Sequence, residues 1–102
     1  MSKVKPVVTR NALDLARALG LSAGDAAEME VRRQINDKII GAVAASGLTH
    51  AQVAKAARTS RARLTAILNR NTAHVSTDLM LRILAALGYR AKVTFTRSRR
   101  AA

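Results

Sequence analysis

The sequence predicts a mainly α domain of five helices closed by one short C-terminal β-strand, and three observations predict it. Residues that cap helices stand ahead of helix-spaced apolar runs at Asn11, Ser22, Thr49, Ser60 and Ser76. Apolar residues recur at three- and four-residue intervals through most of the chain and change to strict alternation only near its end, in YRAKVTFT. The 102 residues suffice for one compact unit and are too few for two. Of the 49% that are hydrophobic, many are alanine and only Tyr89 and Phe95 are aromatic, so the core is modest and a partner subunit would add to it.

Residues 1–10 read as a flexible arm, because Pro6 sits among Val4, Val7 and Val8. Asn11 caps a first helix over residues 11–19, which Gly20 ends. Ser22 caps a second, with Asp25 at its third helical position completing a capping box and placing an acid at the positive end of the helix dipole. Its inner stripe is Val31, Ile35, Ile39, Ala42 and Val43, and Gly47 suits the left-handed position after its end near Ser46. Its outer face, with Glu28, Glu30, Arg32, Arg33, Asp37 and Lys38, reads as a solvated surface. Thr49 and Gln52 form another capping box, Leu48 staples against Val53, and a helix over residues 50–57 follows. Ser60 caps the next, with Leu64, Ile67 and Leu68 inward, and Asn69, Arg70 and Asn71 break it. Val75, Ser76 and Met80 repeat the staple and cap for a last helix that buries Met80, Ile83, Leu84 and Leu87 before Gly88.

Over residues 89–96, Tyr89, Ala91, Val93 and Phe95 alternate with Arg90, Lys92, Thr94 and Thr96, the pattern of a half-buried strand with its apolar side on the domain. One strand cannot satisfy its own backbone. Its partner is either the Pro-interrupted VKPVVT at the front or, more simply, the same strand of a second copy about a two-fold axis. Residues 11–97 form the single domain on this reading, and residues 98–102 a disordered basic tail.

The charge is segregated. Eighteen Lys and Arg against six Asp and Glu give +12, yet five of the six acids fall between Asp14 and Asp37. No acid occurs over residues 39–77, where Lys55, Arg58, Arg61, Arg63 and Arg70 all lie. Such a field concentrates polyanions, of which nucleic acid is the commonest soluble kind. A membrane surface fits less well, since no segment pairs a basic face with a bulky apolar one. The absence of cysteine excludes disulfides and thiolate metal sites, and MSKVKPVVTR lacks the apolar run of a signal peptide or membrane helix, so a cytoplasmic protein is expected. Catalysis finds no nucleophile–base pair, no His pair at ligand spacing and no glycine-rich phosphate loop; neither enzyme activity nor cofactor nor metal is expected.

The stretch LTHAQVAKAARTSRARLTAILNRN holds two capped helices joined only by Arg58 and Thr59, so the helices must cross at a large angle. The close approach needs a small residue. Ala54 supplies it, beside Val53 and Ala57, and Leu64 and Ile67 pack back on that face. Ala62, Thr65, Ala66 and Asn69 then point outward between Arg61 and Arg63, a narrow uncharged ridge between guanidinium groups that suits the major groove of DNA.

This stretch resembles the helix-turn-helix of the Cro and lambda-repressor (XRE) family, whose form is L-T-Q-x-x-x-A, a turn, then S-x-x-x-[VIL] and a short polar loop. With the long helix ending at Gly47 before it and LMLRILAALGYRAKVTF after it, the order is similar to small HigA-like antitoxins. That resemblance spans roughly residues 13–97. It implies a five-helix XRE-type domain that binds a pseudo-palindromic DNA operator as a homodimeric autorepressor, with a RelE-like or HigB-like toxin as a further partner. Its base-reading positions fall on Arg61, Ala62, Thr65 and Ala66. Its phosphate-clamping positions fall on Thr49, His50 and Gln52 and on Asn69, Arg70 and Asn71, with Arg58 and Arg63 as flanking phosphate contacts. The dimer strand carries Tyr89, Ala91, Val93 and Phe95. Three positions depart from the family: His50 replaces the usual Gln and is either a phosphate contact or a solvated neighbour of the cap; Thr59 replaces an apolar residue; Arg58 replaces Gly. A left-handed Arg58 costs about 1 kcal/mol relative to Gly unless its side chain gains a phosphate or the carbonyls of the preceding helix.

Overall fold

The computed structural model describes residue 20 and residues 22–97. Among them are four helices: α1 (Ala23–Ser46), α2 (His50–Ala56), α3 (Arg61–Leu68) and α4 (Thr77–Ala86). The expected first helix, the arm over residues 1–10 and the tail over residues 98–102 lie outside the described residues.

Each helix starts where its cap places it. Ser22 accepts from the Asp25 amide at 3.1 Å, and the Asp25 carboxylate accepts in return from the Ser22 amide and hydroxyl. Thr49 and Gln52 do the same, with the Thr49 amide donating to Gln52 Oε1 at 2.9 Å and the Gln52 amide to Thr49 Oγ1 at 3.1 Å. Ser60 and Ser76 each accept from the amide three residues on. α1 ends at Gly47, which takes φ 74°.

The other three helices end in one motif. After α2, Thr59 N donates to Ala54 O and Arg58 N to Lys55 O; after α3, Asn71 N donates to Ala66 O and Arg70 N to Ile67 O; after α4, Tyr89 N donates to Leu84 O and Gly88 N to Ala85 O. These are paired Schellman bonds, which need a left-handed residue just past the cap. Gly88 takes it with φ 90°, but Arg58 and Arg70 take it with φ 57° and 61°.

The core joins all four helices. Ile39, Val53, Leu64, Ile67, Met80 and Ile83 are fully enclosed, and each is worth about 1.5–3 kcal/mol relative to exposure. Ala54 and Ala57 are 3% exposed, so the small face of α2 does admit α3 closely. Helix α1 packs on α3 and α4, and α2 packs on the same two. Val31 departs from the expected stripe: it is 52% exposed, because it faces an open groove beside Leu81 and the C-terminal segment rather than the core.

Polar side chains of α1 hold the rest in place. Asn36, buried in the apolar stripe, donates through Nδ2 to the Ile67 carbonyl at 2.9 Å, one of the last carbonyls of α3. Arg32, read from sequence as solvated, instead donates to Thr72 O at 2.8 Å, Val75 O at 2.6 Å and Thr77 Oγ1 at 2.8 Å. It staples the α3–α4 loop to α1. Arg33 and Glu30, by contrast, stay on the outer face of α1, where they form an ion pair.

The C-terminal strand is not present. Residues 89–97 run without secondary structure, and Tyr89, Val93 and Phe95 are 41%, 69% and 91% exposed, so the expected burial of the apolar side does not occur. A strand is defined by its ladder, and this single chain offers the segment none among its described residues. Lys38 Nζ lies 4.4 Å from the Tyr89 ring centroid, a cation–π contact that ties the start of the segment to α1.

Replacing Asn36 with Ala leaves the Ile67 carbonyl without its partner in a dry site. We expect a loss of about 1–3 kcal/mol, seen as a lower urea midpoint at unchanged slope; an unshifted midpoint would show that the bond contributes nothing.

Candidate nucleic-acid interface

Helices α2 and α3, with the turn between them and the loop after, form one surface whose residues over 49–71 include five cations and no acid. Leu64 and Ile67 are buried, which turns the opposite side of α3 to solvent. Ala62, Thr65, Ala66 and Asn69 occupy that side at positions i, i+3, i+4 and i+7; all are exposed except Ala66, which is half-buried. Arg61 and Arg63 are exposed on either flank. Of the four positions expected to read bases, Ala62, Thr65 and Ala66 thus lie on one accessible ridge and Arg61 on its flank.

The positions expected to meet phosphate fall at the two ends of the motif. Thr49, His50 and Gln52 are exposed at the start of α2. The Thr49 hydroxyl and the Gln52 carbonyl oxygen are engaged in the capping box, which leaves the Gln52 amide NH₂ and the His50 ring to face outward. Arg63, Asn69 and Asn71 are exposed as well.

Arg58 and Arg70 have a common geometry. Each sits at the left-handed residue that closes a short helix, where Gly costs least and a side chain about 1–2 kcal/mol more. Arg58 is exposed, and its backbone N–H is committed to the helix terminus. Arg70 is placed similarly, but its Nη1 also lies 2.7 Å from Asp37 Oδ1. Asp37 in turn takes Arg33 Nη1 at 2.9 Å, and Arg33 Nη2 meets Glu30 at 2.7 Å. Asp37, expected on a solvated face, and Arg70, expected at a phosphate, are joined by the fold into one network between α1 and the end of α3. Arg33 first, and Gln34 second, hold the Glu30 carboxyl below its ordinary range against a small desolvation. Any stability from that depression is present at neutral pH and is lost as the pH falls through the lowered value.

Thr59, where an apolar residue was expected, has a buried hydroxyl with no hydrogen-bond partner among the described residues. The holding roles of Arg32, expected only as solvated, and of Asn36 were not among the sequence expectations. A polar residue inside the stripe of Ile35, Ile39 and Val43 was the available signal for Asn36; Arg32 offered none, because its acceptors lie at least forty residues away in the chain.

Substituting Arg58 with Gly separates its two roles. We expect stability to rise by about 0.5–1 kcal/mol as the strained residue is relieved, while affinity for duplex DNA at low salt falls with the lost charge. Calorimetry and a binding titration on the same sample measure both; a destabilised variant would contradict the strain.

Residues 19–95 match the helix-turn-helix domain family. No curated protein and no solved structure matches the chain. No helix among the described residues is long and apolar enough to cross a membrane.

Proposed function

The chain belongs to the helix-turn-helix domain family, a DNA-binding fold, and from that premise we propose that it is a dimeric, operator-specific transcriptional repressor whose α3 enters the major groove. The observation that carries the reading is the pair of left-handed arginines, Arg58 just before α3 and Arg70 just after it. Strained residues persist where surrounding structure and function over-determine them. Two cations held this way, at the ends of a stretch that itself contains no acid, fit a backbone-phosphate clamp on each side of an inserted helix.

In this reading Arg61 and Thr65 reach base edges, with Ala62 and Ala66 letting the helix backbone approach. Thr49, His50, Gln52, Arg58, Arg63, Asn69, Arg70 and Asn71 take phosphates. Arg70 then exchanges or shares Asp37 for a phosphate on binding. In a two-fold dimer the recognition helices sit about 34 Å apart on a pseudo-palindrome, and the protein acts on its own promoter in a bacterial cytoplasm.

A second role, neutralising a basic RelE-like toxin, draws on the concentration of acids ahead of the DNA-facing half. Asp25 and Glu28 are exposed on the first turns of α1, and an acidic-leaning surface there could dock a basic ribonuclease without competing with operator DNA. Co-expression with the adjacent small reading frame decides it: a frame that arrests growth and is rescued by this protein supports the antitoxin role, and any other outcome leaves a repressor alone.

Operator binding should fall steeply with salt. A dimer that neutralises about 6–10 phosphates loses roughly 10³- to 10⁵-fold in affinity between 50 and 200 mM salt, and a flat titration would refute the clamp. Arg61→Ala should cost about 1–3 kcal/mol on the operator and relax one base position. Arg70→Ala should weaken all sequences alike, and binding-site selection distinguishes the two.

A further inference from the structure

Among the described residues, Asp37 is the one acid that reaches a cation of the helix-turn-helix. Its Oδ1 accepts from Arg70 Nη1 at 2.7 Å and its Oδ2 from Arg33 Nη1 at 2.9 Å, while Arg33 Nη2 also holds Glu30 at 2.7 Å. Two carboxylates thus meet two guanidinium groups. Arg33 has Glu30 besides, so the charge that depends on Asp37 alone is that of Arg70. Lys55, Arg58, Arg61 and Arg63 form no ion pair with any described residue.

The fold builds this meeting. Asn36, next to Asp37 on α1, donates to the Ile67 carbonyl, and three residues beyond Ile67 the Schellman bonds hold the Arg70 backbone at φ 61°. The Asp37 carboxylate and the root of the Arg70 side chain are therefore fixed at neighbouring points by internal structure, and only the outer arm is free to swing. The two side chains are 58% exposed for Arg70 and 42% for Asp37, so water and salt reach the pair and it opens without disturbing the core. A phosphate offers a guanidinium the same kind of anionic oxygen acceptors as a carboxylate. Asp37 and a phosphate therefore compete for one arm. Once displaced, the carboxylate stays close to the phosphate that replaced it and repels it.

We propose that Asp37 is an internal competitor of DNA phosphate: it withholds Arg70 in the free protein and so lowers the affinity of the surface for duplex DNA of any sequence. Resting on the DNA-binding reading above, this role adds to it a residue of α1, outside the helix-turn-helix, that sets the strength of binding. Sequence-independent attraction to phosphate grows with the cations a protein presents. In a chain of net charge +12, an acid placed on a phosphate-seeking arginine limits retention on bulk DNA where a distant acid on another helix does not. Breaking this ion pair therefore strengthens binding.

The test is titration of the full-length chain with a duplex of random sequence at about 50 mM salt, where surface charge is least screened. Asp37→Asn and Asp37→Ala should each tighten binding by about 3- to 20-fold, because an exposed ion pair and a carboxylate–phosphate repulsion across about 4 Å of water are each worth up to roughly fivefold. In an Arg70→Ala background the gain should fall below about twofold, which separates competition for that arm from a general change in net charge. Asp78→Asn removes the same charge from an exposed acid on α4 that has no ion pair among the described residues, and it should stay within about twofold of the parent. Circular dichroism checks that each variant retains its helices. A parent chain that fails to bind the duplex removes the DNA-binding reading and the competitor with it. If the parent binds, then unchanged or weaker affinity in both Asp37 variants, or a gain that persists in full without Arg70, overturns the competitor alone.

Discussion

The hydrogen bond from buried Asn36 to the Ile67 carbonyl anchors the arrangement on which the exposed surface of α2 and α3 depends. Helix α3 has eight residues and α2 seven, and isolated helices shorter than about 12–15 residues are marginal in water. They persist because each is capped at its start and closed by paired bonds at its end, and because α3 packs on the 24-residue α1 while α2 packs on α3 and α4. Asn36 adds direction to that packing. Apolar contacts from Leu64 and Ile67 would tolerate some rotation of α3 about its axis, but a bond at 2.9 Å to one carbonyl does not. Arg32 and Asp37 extend the same attachment to the α3–α4 loop and to Arg70.

Strain and charge coincide in this fold. The Schellman closures of α2 and α3 demand a left-handed residue, and the chain places arginine at both positions while using glycine for α1 and α4. A side chain at such a position has fixed backbone direction, so its long guanidinium arm starts from a well-defined point. Where the helix merely has to stop, Gly47 and Gly88 suffice. The backbone penalty is therefore confined to the two termini nearest the exposed ridge of Ala62, Thr65 and Ala66.

The distribution of acids is equally selective. Asp37 engages Arg70 and Arg33, and Glu30 engages Arg33 and Gln34, so much of the negative charge of α1 is internally matched on an exposed face. Exposed pairs of this kind contribute little stability, about 0–1 kcal/mol each. Their consequence here is positional: the Asp37 carboxylate orients Arg70 toward α1 in the free protein and leaves Arg58, Arg61 and Arg63 uncommitted to any acid among the described residues.

By itself the sequence determined the elements whose causes are local. Caps at Ser22, Thr49, Ser60 and Ser76, stops at Gly47 and Gly88 and the inner faces of α2, α3 and α4 are all set by residues within a few positions of one another, and each was legible there. The ridge of α3 followed from the same spacing. Tertiary structure alone decided what depends on neighbours distant in the chain: that Asn36 and Arg32 hold the far end of α3 and its loop, that Arg70 leans on Asp37, and that Val31 is left outside the core. The alternation of residues 89–96 marks the limit of local reading. It specifies two faces, but a strand exists only when another backbone completes its ladder, and that condition lies in the assembly rather than in the segment.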